Sequence, residues 1–338
     1  MKGAMLVNLG SPDSTDVGDV KKYLGEFLMD KYVIDVPYWL RVLLVKGIIL
    51  NLRPKKSAKA YKKIWFDEGS PLIVLSKRLV EKVQQKSSLP IELAMRYKNP
   101  SIKYALEKLS KKGVDDLFII PLYPQHAMAT TKTIEELTKE LAKKYYPNMK
   151  LTFMPAFYHK KDYVDALCDS IKPYLKDNQL DHLLFSYHGI PERHIKKTDV
   201  TKSHCTIDAN CCKTKSAAHE FCYRHQCHET TRQVAEQLNL KEEIFSTSFQ
   251  SRLGFDPWLR PYTDKTIEAF AKQGMKKLVI VTPAFVSDCL ETLEEIGMEA
   301  KEEFMKYGGE KFTLIPCLND QENWVNVVAN WINDFSKQ

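Results

Sequence analysis

Short apolar runs alternate with longer stretches of helical periodicity along most of the chain. Strands that alternate with helices in this way are typical of parallel sheets covered by crossover helices. The pattern therefore predicts an α/β fold. In the first half, the predicted strands are 4–9, 91–96 and 117–122, and the predicted helices include 72–86 and 130–145.

The second half of the chain repeats this plan. Its predicted strands are 183–187, 244–247, 278–282 and 313–315, and a closing helix is predicted at 320–335. We therefore predict two similar domains, residues 1–160 and 161–338, with about four parallel strands each. Ligands bind beyond the carboxyl ends of strands in such sheets, so the residues directly after those ends are the first candidates for a site.

The charge balance excludes some classes of protein. The chain has 50 Lys and Arg against 43 Asp and Glu, a net charge of +7, and its lysines are spread along the predicted helices. This distribution gives no nucleic-acid footprint. The first residues contain too short an apolar run for a signal peptide, so we expect a cytoplasmic protein. The oligomeric state does not follow from the sequence.

One histidine lies where a predicted strand ends. His188 follows the run LLFSY and precedes Gly189, Ile190 and Pro191, so it leaves a buried strand and enters a tight turn. A side chain at that point faces the ligand region of an open sheet. A histidine that is merely packed there, with its ring nitrogens bonded to backbone, fits the same position.

Acidic residues follow another predicted strand. Asp288, Glu291 and Glu295 are separated by steps that return to one face of a helix beginning near Asp288. Together with the histidine, this line suits either binding of divalent iron or removal of protons. Acidic residues that only stabilise a helix dipole in solvent give similar spacing, and we expect Glu294 and Glu299 to be of that kind.

Residues 199–222 show no helix or strand period and are rich in cysteine, histidine and small polar residues. In a reducing compartment such a group of thiols indicates iron–sulfur or zinc chemistry rather than disulfides. The candidate ligands are Cys205, Cys211, Cys212 and Cys222, with Cys227 as a substitute. Zinc is the alternative, bound by cysteines alone or with His204, His219, His225 or His228. The remaining thiols fit buried apolar positions: Cys168, Cys289 and Cys317.

Seven sequence blocks, taken in order, resemble the ferrochelatase family over nearly the whole chain. They are NLGSP, YKKIW with GSPL, AMRY, PLYPQH, SYHGIPER, FQSRLGFDPWLRPYTD and TPAFVSDCLETLEEI. The resemblance implies two Rossmann-like domains of the chelatase-like fold around a porphyrin cleft. It also implies insertion of Fe²⁺ into protoporphyrin IX to form protohaem, without an organic cofactor. Two rival interpretations are a ferrochelatase for coproporphyrin III and a non-catalytic protein that binds haem or porphyrin.

The resemblance further implies roles for single residues. His188 and Glu291 match the family's essential pair near the pyrrole nitrogens, and Asp288 and Glu295 extend the line that meets the substrate iron. Six further positions match residues that contact the porphyrin. Those against the macrocycle are Leu9, Tyr123 and Trp258, those at the propionates are Arg53 and Ser70, and Arg96 is on the iron side.

The resemblance also leads to expectations for two segments, residues 36–50 and residues 199–222. Residues 36–50 resemble the family's lip over the porphyrin, which meets the bilayer in some members. Arg41 and Lys46 would then contact lipid phosphates at the inner face of the membrane, although a helix packed on its own domain fits equally. The run is shorter than the roughly 18 residues of a membrane span. The insertion 199–222 resembles the internal four-cysteine arrangement of some bacterial members, which implies a 2Fe-2S cluster.

Overall fold

The computed structural model describes residues 1–175, 180–252, 254 and 256–338, and its two sheets confirm the α/β prediction. All strand pairs within both sheets are parallel. The first sheet contains β1 (Lys2–Asn8), β2 (Ile91–Met95), β3 (Asp116–Pro121) and β4 (Lys150–Phe153). The second contains β5 (His182–His188), β6 (Phe245–Gln250), β7 (Lys277–Val281) and β8 (Lys311–Leu314).

The two sheets share one strand order. It is β2-β1-β3-β4 in the first and β6-β5-β7-β8 in the second, so each half starts on an inner strand and crosses over in the same way. The short strand β4 was missing from the strands predicted above, because its four residues KLTF are too few and too exposed to give a clear apolar run. In both halves, the carboxyl ends of the inner strands lie side by side.

Helices cover these sheets, as the crossover pattern requires. In the first half they are α1 (Val17–Leu28), α2 (Tyr38–Val42), α3 (Leu50–Ile64), α4 (Pro71–Gln84), α5 (Ile102–Lys111) and α6 (Thr133–Tyr145). In the second half they are α7 (Lys161–Ile171), α8 (Glu192–Thr198), α9 (Tyr223–Gln237), α10 (Thr263–Lys272), α11 (Lys301–Lys306) and α12 (Glu322–Lys337).

Within the described residues, three segments are wound as π-helix: Leu43–Ile49, Met128–Lys132 and Glu291–Ala300. This winding, with hydrogen bonds from residue i to i+5, is rare and is concentrated at functional sites. Two of the three segments coincide with the predicted lip and with the predicted acidic line.

The closing helix α12 connects the two halves. Its apolar face is buried, and Phe335 at its end stacks on Phe118 of β3 with ring centroids 5.0 Å apart. Lys82 of α4 and Lys86, two residues after that helix, form ion pairs with Asp320 and Glu322, which fixes the start of α12 against the first half. One hydrophobic core therefore runs from the first sheet into the second. In the part of the chain described, no helix is long and apolar enough to cross a bilayer.

Candidate functional site

His188 is the last residue of β5 and is half-buried, with its ring near Trp258 and Phe285 at centroid distances of 6.4 and 6.3 Å. Its Nδ1 lies 2.6 Å from the carbonyl oxygen of Gly189. A carbonyl oxygen only accepts hydrogen bonds, so Nδ1 carries the hydrogen. In the neutral imidazole, Nε2 is then the unprotonated nitrogen, and it is available as a proton acceptor.

Gln250, which the sequence analysis did not single out, links this histidine to the acidic segment. It is the residue opposite His188 in the β5–β6 register, and its backbone carbonyl accepts the Gly189 N–H at 2.6 Å. Its side-chain amide donates to the backbone carbonyl of Glu291 at 2.8 Å. One glutamine therefore fixes the spacing between the histidine turn and the start of the π-helical segment.

Glu291 and Glu295 are brought to the histidine. Burial raises the pKa of the Glu295 carboxyl; a hydrogen bond from Ser251 and the nearby His188 lower it, and Glu291 raises it again. The net effect is a raised pKa. His188 and Glu291 thus both lie within electrostatic reach of Glu295, which retains a proton more readily than a surface carboxylate does.

Asp288 takes a different place from the one expected on an α-helical face. The helical segment begins after it, and Asp288 lies in the preceding loop with its side chain buried. Its carboxylate accepts hydrogen bonds from Thr292 at 2.8 Å and from the side-chain amide of Asn319 at 2.7 Å. Asp288 therefore ties the start of the segment to the loop after β8, and these bonds occupy its oxygens.

The expectation for Glu294 was wrong. This residue is 6% exposed rather than solvated, and it forms an ion pair with Lys63 of α3 at 2.7 Å. It thereby joins the π-helical segment to the helix that continues the lip. Glu299 is exposed, as expected.

Leu9 and Tyr123 follow neighbouring inner strands of the first sheet and contact each other. The Tyr123 hydroxyl accepts the Leu9 N–H at 3.1 Å and donates to the side-chain carbonyl of Asn8. Burial raises the pKa of this phenol well above its ordinary value, and the charge of Glu291 contributes to the rise. The aromatic ring is therefore locked in one orientation within reach of the acidic segment.

The three other residues matched to the porphyrin are dispersed. Arg96 directly follows β2, and its guanidinium donates to Asp30 at 2.5 Å and to Thr133 at 2.7 Å. Ser70 is buried immediately before α4. Arg53 is exposed on α3, one residue after the exposed Leu52.

The insertion brings its thiols into contact. The sulfurs of Cys211 and Cys212 are 4.0 Å apart, and the Cys222 thiol is close enough to Cys205 and Cys212 to change the pKa of both thiols. Arg224 donates from one Nη1 to the sulfurs of both Cys211 and Cys212 at 3.4 Å. A cationic donor facing several sulfurs fits an anionic thiolate-bound centre.

Cys227 stands apart from this group. It lies one turn inside α9, fully buried, and burial raises the pKa of its thiol well above the ordinary value. Its hydrogen-bond neighbour is Tyr223. The geometry thus favours the first four cysteines. Cys168, Cys289 and Cys317 are buried free thiols, as predicted.

Histidines hold the same loop through its backbone. His204 and His219 lie 2.7 and 3.1 Å from the carbonyl oxygen of Cys211, and His225 lies 2.9 Å from that of Cys212. One ring nitrogen of each histidine is thereby engaged in a contact with a backbone carbonyl oxygen. Among the described residues, no group of three or more His, Cys, Asp or Glu side chains is arranged so that it could hold a metal ion.

The predicted lip is exposed to solvent. Tyr38, Trp39 and Leu43 are 67%, 69% and 59% exposed, and Leu52 on the same continuous helix is 74% exposed. The expectation that Arg41 contacts lipid phosphates was wrong. It is buried, and its guanidinium folds back to donate to the carbonyl of Ile34 at 2.9 Å.

Comparisons with known proteins identify relatives of this chain. The family model described as Ferrochelatase matches residues 1–335. The curated Ferrochelatase of Pseudomonas fluorescens (strain SBW25) is 48% identical over 326 residues, covering 96% of this chain and 95% of that protein. The curated Ferrochelatase of Ectopseudomonas mendocina (strain ymp) is 50% identical over 323 residues, covering 95% and 94%.

A solved structure shares the fold. SirB from Bacillus subtilis with Fe³⁺ superposes with a TM-score of 0.56 at 11% identity, covering 98% of this chain and 94% of that one. At this identity the likeness concerns the fold alone, and it confirms the chelatase-like arrangement of two sheets.

Proposed function

The chain belongs to the ferrochelatase family, and we propose that it inserts Fe²⁺ into protoporphyrin IX to form protohaem, with His188 and Glu291 at the centre of the chemistry. The observation that carries the proposal is a histidine with an acceptor Nε2 that lies within electrostatic reach of Glu295 and is joined to the Glu291 backbone through Gln250. Porphyrin and ferrous iron are the substrates, and the reaction belongs to haem biosynthesis.

Metal insertion requires the loss of two pyrrole protons. The Nε2 of His188 accepts them in turn, and the neighbouring Glu291 and Glu295 carry them away from the macrocycle. The raised pKa of Glu295 suits this role, because a carboxylate with higher proton affinity is a better acceptor from an imidazolium. Asp288 is left out of this relay, since its oxygens are bound to Thr292 and Asn319.

The walls of the cleft supply binding and shape. Leu9, Tyr123 and Trp258 offer apolar or aromatic faces to the flat macrocycle. The Tyr123 hydroxyl is held by its bonds to Leu9 and Asn8. A rigid wall of this kind favours a distorted macrocycle with exposed pyrrole lone pairs, which resembles the transition state for metal entry.

An anaerobic assay tests this function. Fe²⁺ is offered with protoporphyrin IX or with coproporphyrin III, and metalloporphyrin absorbance is followed. We expect the wild type to prefer protoporphyrin IX. His188→Ala and Glu291→Gln should each lose at least about 100-fold in turnover while still binding porphyrin. Glu299→Gln, an exposed change on the same segment, is the control.

Each contrary outcome points to a definite alternative. Faster metallation of coproporphyrin III would assign the chain to that substrate. Tight porphyrin binding by the wild type without turnover would favour a haem or porphyrin carrier. Near-normal turnover of His188→Ala or Glu291→Gln would withdraw that residue's role.

We further infer that Cys205, Cys211, Cys212 and Cys222 hold a 2Fe-2S cluster, for which the free thiols must rearrange, because their present arrangement among the described residues is not one that holds a metal ion. The Cys211–Cys212 sulfur contact, the proximity of Cys222 to Cys205 and Cys212, and the two hydrogen bonds from Arg224 support this ligand set. Such a cluster supplies a one-electron couple and a covalent cross-link among four thiolates. The insertion has little apolar material of its own, so ligation is the means by which it gains order.

Peripheral contact with a membrane is proposed for the lip, residues 36–50. Its exposed aromatic and aliphatic side chains form an apolar surface on one helix. The solvent-facing cations beside that surface are Lys46, Arg53, Lys55, Lys56 and Lys59. An apolar face flanked by cations binds anionic lipid surfaces.

A further inference from the structure

The peptide group between His188 and Gly189 is held from both sides. Its N–H, which belongs to Gly189, donates to the Gln250 carbonyl at 2.6 Å. Its C=O, which belongs to His188, accepts the hydroxyl of Tyr223 at 2.8 Å. The sheet supplies the first bond, whereas the second comes from the first residue of α9.

This peptide group determines where the imidazole points. The next carbonyl along the chain, that of Gly189, accepts the Nδ1 hydrogen and so decides that Nε2 is the free acceptor. The backbone packs closely at Gly189, where a Cβ would lie 2.9 Å from the Ser251 carbonyl oxygen and 3.0 Å from that of Gln250. A rotation of the peptide group would therefore move the ring and weaken the bond that selects its tautomer.

The surroundings of Tyr223 favour its hydrogen bond to the His188 carbonyl. The side chain is 5% exposed, so its hydroxyl is shielded from water and donates to the His188 carbonyl. Cys227 and Tyr187 lie against it within the core.

The position of Tyr223 depends in turn on the cysteine loop. Cys222 is the N-cap residue of α9, and its sulfur accepts the His225 N–H at 3.5 Å. The same sulfur lies near the thiols of Cys205 and Cys212. The residue that joins the thiol group is thus covalently adjacent to the residue that holds the His188 peptide.

We propose that Tyr223 is a positioning residue that transmits the state of the four-cysteine loop to the backbone of His188. The proposal rests on the function proposed above for His188 and for the cluster. When the four thiolates are cross-linked, the first turn of α9 is fixed and the hydroxyl stays on the His188 carbonyl. When the cross-link is lost, that turn is released and the histidine turn loosens.

Tyr223→Phe tests the contact, because it keeps the ring and removes only the hydroxyl. We expect kcat to fall about tenfold with KM for porphyrin unchanged. Amide hydrogen exchange of the 183–190 region, measured without substrates, should rise by a similar factor. Tyr163→Phe is the matched control, since that buried hydroxyl also donates to a backbone carbonyl, at 2.9 Å from Pro283.

A double-mutant comparison tests the transmission. Cys222→Ser should release the cluster and accelerate exchange at 183–190 in the wild-type background, but add little in the Tyr223→Phe background. Unchanged kcat and exchange in Tyr223→Phe, or fully additive effects of the two changes, would overturn the proposal. Failure of the proposed function shows differently: His188→Ala would retain turnover while the exchange effects remained.

Discussion

Ser251 donates its hydroxyl to the Glu295 carboxylate, with its Oγ 2.8 and 2.7 Å from the two carboxylate oxygens. Ser251 is the residue after β6 and has a φ of +62°, in the left-handed region that a residue with a Cβ rarely adopts. Such a conformation costs of order 1 kcal/mol and is retained where surrounding structure requires it. The strained turn thus orients the carboxylate that we place at the end of the proton relay.

Removal of this hydroxyl should change the pH dependence of turnover. The bond from Ser251 lowers the pKa of Glu295, so Ser251→Ala raises it further. More Glu295 is then protonated at a given pH, and fewer carboxylates are free to accept a proton. We expect the acid limb of the kcat profile to move to higher pH, with the loss largest, about tenfold, on that limb.

Ser251→Gly separates the effect of losing the hydroxyl on turnover from the effect of backbone strain on stability. Glycine adopts a positive φ without strain, so this variant should be more stable than Ser251→Ala in chemical denaturation. It also lacks the hydroxyl, so it should show the same shift of the kcat profile. An equal loss of kcat at every pH in both variants would contradict the role given to the Ser251–Glu295 bond.

Asp35, the residue before the lip, forms ion pairs with α8, the helix after the histidine turn. We call this group of ion pairs the latch. Its carboxylate, 4% exposed, pairs with Arg193 at 2.6 Å and also with Lys197 and His194 of α8. Burial opposes ionisation, but the bonds from Lys197 and Arg193 prevail and lower the pKa of Asp35 to about 2. The lip is thereby attached to α8, the helix that follows the His188 turn.

Asp35→Asn should loosen this latch. Because the pKa is depressed on folding, the ionised form stabilises the protein above the unfolded pKa of about 3.9. That stabilisation is lost as the pH falls towards 2. We expect a loss of roughly 1 to 3 kcal/mol in the free energy of unfolding at pH 7 and a smaller difference from wild type below pH 4.

The measurement is urea denaturation of wild type and variant across this pH range, together with KM for porphyrin, which should rise. Asp165→Asn, which removes an exposed pair with Lys161, is the control and should change neither quantity appreciably. A stability difference that grows below pH 4 would contradict the latch.

Strand ends were the part of the site that the sequence could predict. The run LLFSYH has the length and burial of an inner strand, so the exit of His188 into a turn followed from the pattern alone. The arrangement of the acidic residues Asp288, Glu291 and Glu295 was harder to predict from the sequence. Its spacing was interpreted with the roughly 100° per residue of an α-helix, whereas the segment is wound as π-helix and begins after Asp288.

Residues whose roles depend on register were missed. Gln250 and Ser251 lie in the block FQSRLGFDPW, but their contacts follow from the pairing of β5 with β6 and from a left-handed serine. Neither is visible in a local pattern. Similarly, the spacing of Arg41 within an apolar run could not show that its guanidinium turns back to the Ile34 carbonyl.

The exposed lip predicts binding to anionic vesicles. At low salt, vesicles rich in acidic lipid should retain the protein, because apolar insertion and cation attraction act together. Trp39→Asp should weaken this partitioning at least about tenfold. Tyr104→Asp, a change at a residue 50% exposed on α5, should leave it unaffected. Absence of binding to any vesicle at any salt concentration would leave the lip as a cover for the porphyrin.

The four-cysteine loop predicts a reddish-brown protein with one 2Fe-2S cluster. Each of the five cysteines is changed to serine separately, and iron, acid-labile sulfide and zinc are measured after anaerobic purification. Loss of iron and sulfide is expected for the four cysteines from Cys205 to Cys222 and not for Cys227, whose thiol is packed in the core beside Tyr223.

Arg224 sharpens this prediction, since it distinguishes a cluster from zinc. Hydrogen bonds to the sulfurs of an iron–sulfur centre raise its reduction potential, so Arg224→Met should retain the cluster and shift the potential to a more negative value. Arg232→Met, on an exposed face of the same helix, should shift nothing. A colourless wild type with stoichiometric zinc and no acid-labile sulfide would mean that the thiolates hold zinc. Redox titration would then detect no transition in any of these proteins, because zinc has no redox chemistry.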